Sequence, residues 1–95
     1  MASKIIWTPR AIVDLEETCN YISRDSLRYA SIFASNIISI VKKIPQFPKA
    51  GRLVPEYQDS NLREKIYGNY HIVYRIKIEV IEIVAICHGP RIFDL

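Results

Sequence analysis

The sequence of 95 residues contains few of the residues that define several common classes of protein. Only two cysteines are present, Cys19 and Cys87, so a disulfide framework is not expected and a reduced, cytoplasmic setting is. No stretch reaches the roughly 18 apolar residues of a membrane-spanning helix, and the first residues do not resemble a secretion signal. The three glycines form neither a phosphate loop nor a G-x-S-x-G elbow. Metal-ligand spacing such as C-x-x-C is also missing, so no metal or other cofactor is expected.

The composition indicates one small folded domain over residues 1–95. Hydrophobic residues make up 49% of the chain and charged residues 24%, which is the opposite of a disordered composition. The formal net charge is +3. This surplus lies in residues 1–50, which carry seven basic and four acidic side chains, whereas residues 51–95 carry six of each. Mild basicity permits a nucleic acid or an acidic protein as partner and proves neither.

The first half of the chain predicts a strand followed by two helices. Lys4–Trp7 is β-branched and aromatic, and Thr8-Pro9 then provides an N-cap and a first helical residue. Apolar residues recur at helical spacing in two series, which are Ile12, Leu15, Cys19, Ile22 and then Leu27, Ala30, Ala34, Ile37, Val41, Ile44. The short polar break between the two series predicts an antiparallel helical hairpin.

The second half predicts three consecutive strands, Leu62–Tyr67, Tyr70–Ile76 and Val80–Cys87. The last of these is almost continuously apolar, which favours a central position, with the opening strand as a plausible neighbour. The predicted fold is therefore α+β, with two layers in the order β-α-α-β-β-β. A helical hairpin packs on a mostly antiparallel sheet of four strands.

The turn at Gly68-Asn69 leaves two strand registers open. A two-residue turn pairs Tyr67 with Tyr70, whereas a three-residue loop pairs Tyr67 with His71. The three-residue loop separates polar from apolar side chains better, and we prefer it on that ground.

In the preferred register, several polar and basic side chains share the solvent-facing side of the sheet, namely Arg63, Lys65, His71 and Arg75. If Ile81, Ile83, Ala85 and Cys87 face the helices, Glu82 and His88 join that outer face, with Arg91 just beyond. Such a cluster could bind a phosphodiester and transfer a proton. The simpler alternative is an ordinary polar face on which Glu82 pairs with Arg75. Candidates for contact with a target or nucleic acid are Arg75, Tyr67, Arg52 and Lys49.

Several short motifs occur in order along nearly the whole chain. They are Thr8-Pro9-Arg10-Ala11, Gly51-Arg52-Leu53-Val54-Pro55-Glu56, Leu62-Arg63-Glu64, Gly68-Asn69-Tyr70-His71-Ile72-Val73-Tyr74-Arg75-Ile76 and His88-Gly89-Pro90-Arg91. Together with the predicted element order, these motifs resemble the RelE/ParE toxins of type II toxin–antitoxin systems, also called plasmid stabilisation proteins.

The resemblance implies a cytoplasmic toxin that inhibits growth until a cognate antitoxin binds it. The expected antitoxin is acidic, with a partly disordered tail that folds on the toxin, and the pair would form a hetero-oligomer. The helical hairpin and the outer sheet face are the implied binding surfaces.

The family divides by target. ParE-like members poison DNA gyrase, whereas RelE-like members are ribosome-dependent mRNA endoribonucleases (mRNA interferases) that need no metal. For a nuclease, the resemblance assigns charge stabilisation to Arg63, Lys65 and Arg91, and proton transfer to His71 or His88.

Two features of the sequence favour the ParE-like alternative. His71 occupies the position after the turn where RelE nucleases often have arginine, and the sequence ends at Leu95 before the expected aromatic acid–base residue. A gyrase poison is therefore the preferred interpretation, with an mRNA endoribonuclease as the alternative. A toxin-fold protein retained only for antitoxin binding or autorepression is a further alternative.

Overall fold

The computed structural model describes residues 4–89, in which two helices pack on one face of a mostly antiparallel sheet. The elements are β1 (Lys4–Trp7), α1 (Pro9–Ser23), α2 (Leu27–Lys43), β2 (Arg52–Leu53), β3 (Leu62–Tyr67), β4 (Tyr70–Lys77) and β5 (Val80–His88), with 3-10 turns at Ile44–Gln46 and Pro48–Ala50. The strand order is β1-β5-β4-β3-β2. The predicted α+β fold is confirmed, and β5 is flanked on both sides, by β1, to which it is parallel, and by β4. The sheet has five strands instead of four, because β2 is too short for its pattern to be recognised in the sequence.

Helix α1 begins as predicted and is hydrogen-bonded to β5 at its first turn. The Thr8 hydroxyl accepts a hydrogen bond from the Ala11 amide at 3.1 Å and also lies 2.9 Å from the Ile83 carbonyl oxygen. Pro9 occupies the first turn, where no amide hydrogen is needed. Ala11 is fully buried, whereas Ile12, which was expected in the apolar stripe, is 44% exposed. Leu15, Cys19 and Ile22 pack against the core as predicted, so only the first member of the stripe is wrong, with Ala11 in place of Ile12.

Helix α2 supplies most of the helical part of the core. Ser26 caps its first turn by accepting a hydrogen bond from the Tyr29 amide at 3.1 Å. The predicted stripe is buried at Ala30, Ile37, Val41 and Ile44, and Phe33 is buried beside it. Leu27 is the exception, because it lies exposed in the first turn.

The sheet buries apolar side chains on both faces. On the helix side, Ile72, Tyr74, Ile81, Ile83 and Ile86 pack against α1 and α2. A smaller cluster lies on the second face, made of Val54, Leu62, Val73, Val84, Ala85 and Cys87, with Tyr57 packed against it. The segment between β2 and β3 contributes Val54 and Tyr57, and so covers this face. No helix within residues 4–89 is long and apolar enough to span a membrane.

This second cluster explains why the preferred register is wrong. In the structure Tyr67 pairs with Tyr70 across a two-residue turn at Gly68-Asn69. Gly68 has a φ of 58°, which glycine adopts without steric cost. Separating polar from apolar residues was a misleading criterion, because it assumed that only one face of the sheet is buried.

A β-bulge in β5 reverses the faces of its C-terminal half. Val73 pairs with Ala85 and Tyr74 pairs with Ile83, so Val84 is an extra residue on β5. Ala85 and Cys87 therefore face the second cluster and not the helices, which corrects their predicted placement.

The bulge also places polar groups at the C-terminal end of β5. The carboxylate of Asp14 on α1 accepts a hydrogen bond from the Ile86 amide at 2.9 Å, directly after the bulge. His88 stacks against Tyr70 on the helix side of the sheet. It therefore does not join the outer face as predicted.

Candidate functional site

The structure divides the predicted cation cluster between the two faces of the sheet. Arg63 pairs with Tyr74 and Lys65 with Ile72, so both cations lie on the helix side. His71 and Arg75 lie on the second face, since each is adjacent in β4 to residues that face the helices. The four residues therefore do not form one site, which corrects the prediction.

Arg63 holds the chain that follows α2 against the edge of the sheet. Its Nε donates to the Ser60 carbonyl at 2.9 Å, and its Nη1 lies 3.1 Å from the carbonyl oxygens of both Lys49 and Gly51. The guanidinium is thus bound to three backbone acceptors. It acts as a clamp between β3 and the second 3-10 turn.

Tyr74 completes this clamp from the buried side. Its hydroxyl accepts a hydrogen bond from the Gly51 amide at 3.1 Å and donates one to the Pro48 carbonyl. Burial raises the pKa of the Tyr74 phenol, partly opposed by the Gly51 amide and the positive charge of Arg63. A Cβ atom at position 51 would lie 2.2 Å from the Tyr74 hydroxyl oxygen, so only glycine fits there.

Glu64 is a buried carboxylate that the sequence analysis did not include in the site. Its side chain is 1% exposed, forms an ion pair with Arg52 and contacts His71, whose Nδ1 lies 2.9 Å from Oε1. Glu64 shares the second face with buried Leu62, two residues away in β3. A charged residue at a core position of an alternating strand requires a partner, and Arg52 on the adjacent β2 provides it.

Arg75 forms the ion pair that the simpler alternative predicted. Its Nη1 lies 3.4 Å from Glu82, which also contacts Lys77 at 3.3 Å. Asp59, in the segment before β3, adds a weaker contact with Arg75 at 3.8 Å. The outer face around Arg75 is therefore an ion-pair network with alternating charges.

Aromatic rings form a second group on the helix side, at the end of the sheet where β5 finishes. Phe33 packs against Tyr67 and Tyr70, with ring centroids 5.9 and 4.8 Å apart. Tyr70 in turn stacks on His88 at 4.7 Å. The Asn36 amide donates to the Tyr67 hydroxyl at 2.7 Å. Burial, followed by the nearby Tyr21 and Cys19, raises the pKa of Tyr70.

Three further positions complete the predicted set. The Lys49 side chain is exposed beside the clamp, where its carbonyl accepts from Arg63. Lys65 lies at an open groove beside the end of α2, together with Lys43. Arg91 lies outside the described residues. Among residues 4–89, no group of three or more potential metal ligands occurs.

Sequence comparison adds a match over almost the whole chain. Residues 5–93 match the sequence model of the family described as "ParE toxin of type II toxin-antitoxin system, parDE". The chain belongs to this family. The ParE-family chain is also 29% identical over 91 residues to Toxin RelE2 of Caulobacter vibrioides, which covers 95% of this chain and 99% of that protein.

Solved structures of low sequence identity share the fold of this ParE-family toxin. A chain of the chromosomal ParDE toxin–antitoxin system from P. aeruginosa has a TM-score of 0.76 and 21% identity, covering 93% of this chain and 97% of that chain. A chain of the toxin–antitoxin complex RelBE2 from Mycobacterium tuberculosis has a TM-score of 0.66 and 15% identity, covering 93% and 99%. The predicted family and the predicted role as the toxin of a type II module are confirmed.

Proposed function

We propose that this toxin arrests growth by binding and poisoning DNA gyrase, and that it is not an mRNA endoribonuclease. The observation that carries the proposal is that Arg63 and His71, two residues that a nuclease would use, lie on opposite faces of the sheet and are held in other contacts. His88, the other candidate for proton transfer, lies with Arg63 and Lys65 on the helix side, where its ring stacks on Tyr70. The match to the ParE family model supports the same target.

The chemistry of RNA cleavage explains why this separation matters. A general acid or base must come within about 2.6–3.2 Å of the proton that it transfers, while cations contact the same phosphate. Here the Arg63 guanidinium is bound to three carbonyl oxygens, and His71 is bound to buried Glu64. These contacts support structural roles for both side chains.

The proposed partner of the toxin is an antitoxin encoded by a neighbouring reading frame, with an acidic tail. The formal charge of +3 on the toxin favours association with such a tail. The similar ParDE and RelBE2 structures both come from toxin–antitoxin systems, which supports this partner.

The target is tested by inducing the toxin in cells and following DNA damage signalling, new protein synthesis and transcript integrity in parallel. We expect rapid DNA damage signalling while transcripts remain intact. Ile37→Asp is the control, because it places a charge at a fully buried position and should unfold the protein. Early cleavage of transcripts with loss of translation would instead identify a nuclease. Normal growth would identify a toxin fold retained only for antitoxin binding.

A further inference from the structure

The two helices of the hairpin carry charges of opposite sign. Helix α1 contains three acidic residues and one basic residue, whereas α2 contains three basic residues and no acidic one. This difference extends beyond α2, because residues 26–55 contain no aspartate or glutamate at all. The exposed side of α2 is therefore a surface without carboxylates.

A row of polar side chains that can donate hydrogen bonds follows this exposed side of α2. Its members are spaced three or four residues apart and are all exposed, namely Arg28, Ser31, Ser35, Ser39 and Lys42. From Ser31 to Lys42 the row is about 16 Å long, at 1.5 Å per residue. Serine, lysine and arginine side chains are common donors to the phosphates of DNA.

The C-terminal part of the row lies in a groove of about 450 Å³, which is lined by Ser35, Ile38, Ser39, Lys42, Lys43 and Gln46. Within residues 4–89, neither Lys42 nor Lys43 forms an ion pair, so both ammonium groups are available to an external anion. The helix dipole accounts for lysines at this end of α2, but it does not account for the serines that lead to them.

We propose that this face of α2 binds the phosphate backbone of duplex DNA without reading its sequence. The row is long enough to follow several phosphates of one strand, which are spaced by about 3.4 Å along the duplex axis. Single-stranded nucleic acids are instead bound largely by stacking of their bases on aromatic rings. Phe33, the one aromatic residue between Ser31 and Lys42, is buried and cannot provide such a platform.

This inference rests on the proposed function, because gyrase acts on duplex DNA, and it adds a direct contact between the toxin and that DNA. The charge of α1 gives the contact an orientation. Glu16 and Glu17 are exposed on α1, and DNA phosphates repel them. The toxin would therefore approach the duplex with α2 facing the DNA and α1 facing away from it.

The test measures binding of the full-length toxin, freed of its antitoxin, to a short fluorescein-labelled DNA duplex of arbitrary sequence. Fluorescence anisotropy gives the Kd at several salt concentrations. Lys42→Gln/Lys43→Gln is compared with Lys4→Gln/Lys77→Gln, which removes the same charge from β1 and β4. A third variant, Ser35→Ala/Ser39→Ala, removes two hydroxyls at constant charge. Circular dichroism confirms that all three variants are folded.

We expect Lys42→Gln/Lys43→Gln to raise the Kd by at least about tenfold, while the control stays within about twofold. The slope of log Kd against log salt should fall by about 2, because each phosphate contact contributes about 0.9. Ser35→Ala/Ser39→Ala should raise the Kd by about fivefold at an unchanged slope, because it removes hydrogen bonds without removing charge.

Equal Kd values for the lysine variant and its control would overturn the inference, as would the absence of duplex binding at low salt. Both results leave the proposed function intact, because trapping of cleaved DNA on gyrase tests that function separately. Tighter binding of a single-stranded RNA of the same length, lost in the lysine variant, would also overturn the inference. If the unmodified toxin does not trap cleaved DNA, the proposed function fails, and the anisotropy comparison still decides whether α2 binds DNA.

Discussion

Replacement of Arg63 by alanine tests whether this arginine is a structural clamp or a functional cation. The substitution removes three hydrogen bonds, to the carbonyl oxygens of Ser60, Lys49 and Gly51. A hydrogen bond to a charged group contributes about 1.5–3 kcal/mol when buried and much less when exposed. Only the bond to Gly51 is partly buried, and the other two carbonyls can bind water instead.

We therefore expect Arg63→Ala to lower the free energy of unfolding by about 2–3 kcal/mol. The measurement is urea unfolding followed by circular dichroism, because a change in midpoint at constant m-value reports stability directly. The matched control is Lys65→Ala, which removes the same charge two residues along β3 and should change stability by only about 0.5 kcal/mol.

The same variants separate stability from function. At a temperature where Arg63→Ala remains folded, it should retain toxicity towards gyrase, because its guanidinium is not expected to contact the target. If Arg63→Ala is as stable as Lys65→Ala but is no longer toxic, Arg63 is not a structural clamp. It would then be a residue of the functional site.

Three further predictions concern the same region of the fold. Gly51→Ala should cost about 1–3 kcal/mol of stability in thermal or urea unfolding, because the new methyl group would overlap the Tyr74 ring. The Tyr74 phenol has its pKa raised by burial, so its contribution to stability is fully present below about pH 10 and is lost as the pH rises through the folded-state pKa. Tyr74→Phe should therefore flatten the loss of stability above about pH 10, and an unchanged alkaline slope would contradict this. Glu64→Gln should cost about 2 kcal/mol or more, since it removes the charge of a buried carboxylate that pairs with Arg52, whereas the more exposed Glu82→Gln should cost about 1 kcal/mol at most.

The helical half of the fold can be predicted from sequence because its signals are local. Thr8 and Ser26 cap their helices within one turn, and the stripe around Ile37 repeats with the helical period. Two predicted core residues are exposed. Ile12 lies beside the buried face of α1, and Leu27 lies in the first turn of α2.

The sheet is less predictable because its register depends on distant parts of the chain. Burial of the second face requires Val54 and Tyr57 from the segment between β2 and β3, which nothing in the alternation of β3 reveals. The bulge at Val84 lies within an almost continuous apolar run, so no polar residue marks where the faces exchange. The register and the face of each strand also decide which residues share a site. The wrong register places Arg63 and Lys65 on the same face as His71, whereas in the structure they lie on opposite faces.

Glu64 is a polar residue that conflicts with the apolar alternation of its strand. A carboxylate that alternates with Leu62 in a strand must be paired if it is buried, and Arg52 and His71 are the partners that the sheet brings to it. Polar residues that conflict with a strand pattern are thus informative about the neighbouring strand.

The most direct test of the central claim is a DNA cleavage reaction with purified gyrase. The toxin, freed of its antitoxin, is added to gyrase, ATP and supercoiled plasmid, and gyrase-bound linear DNA is measured after protein denaturation. We predict that linear DNA accumulates with toxin concentration and that the antitoxin prevents this. The absence of linear DNA at saturating toxin, together with cleavage of mRNA on purified ribosomes, would contradict the account.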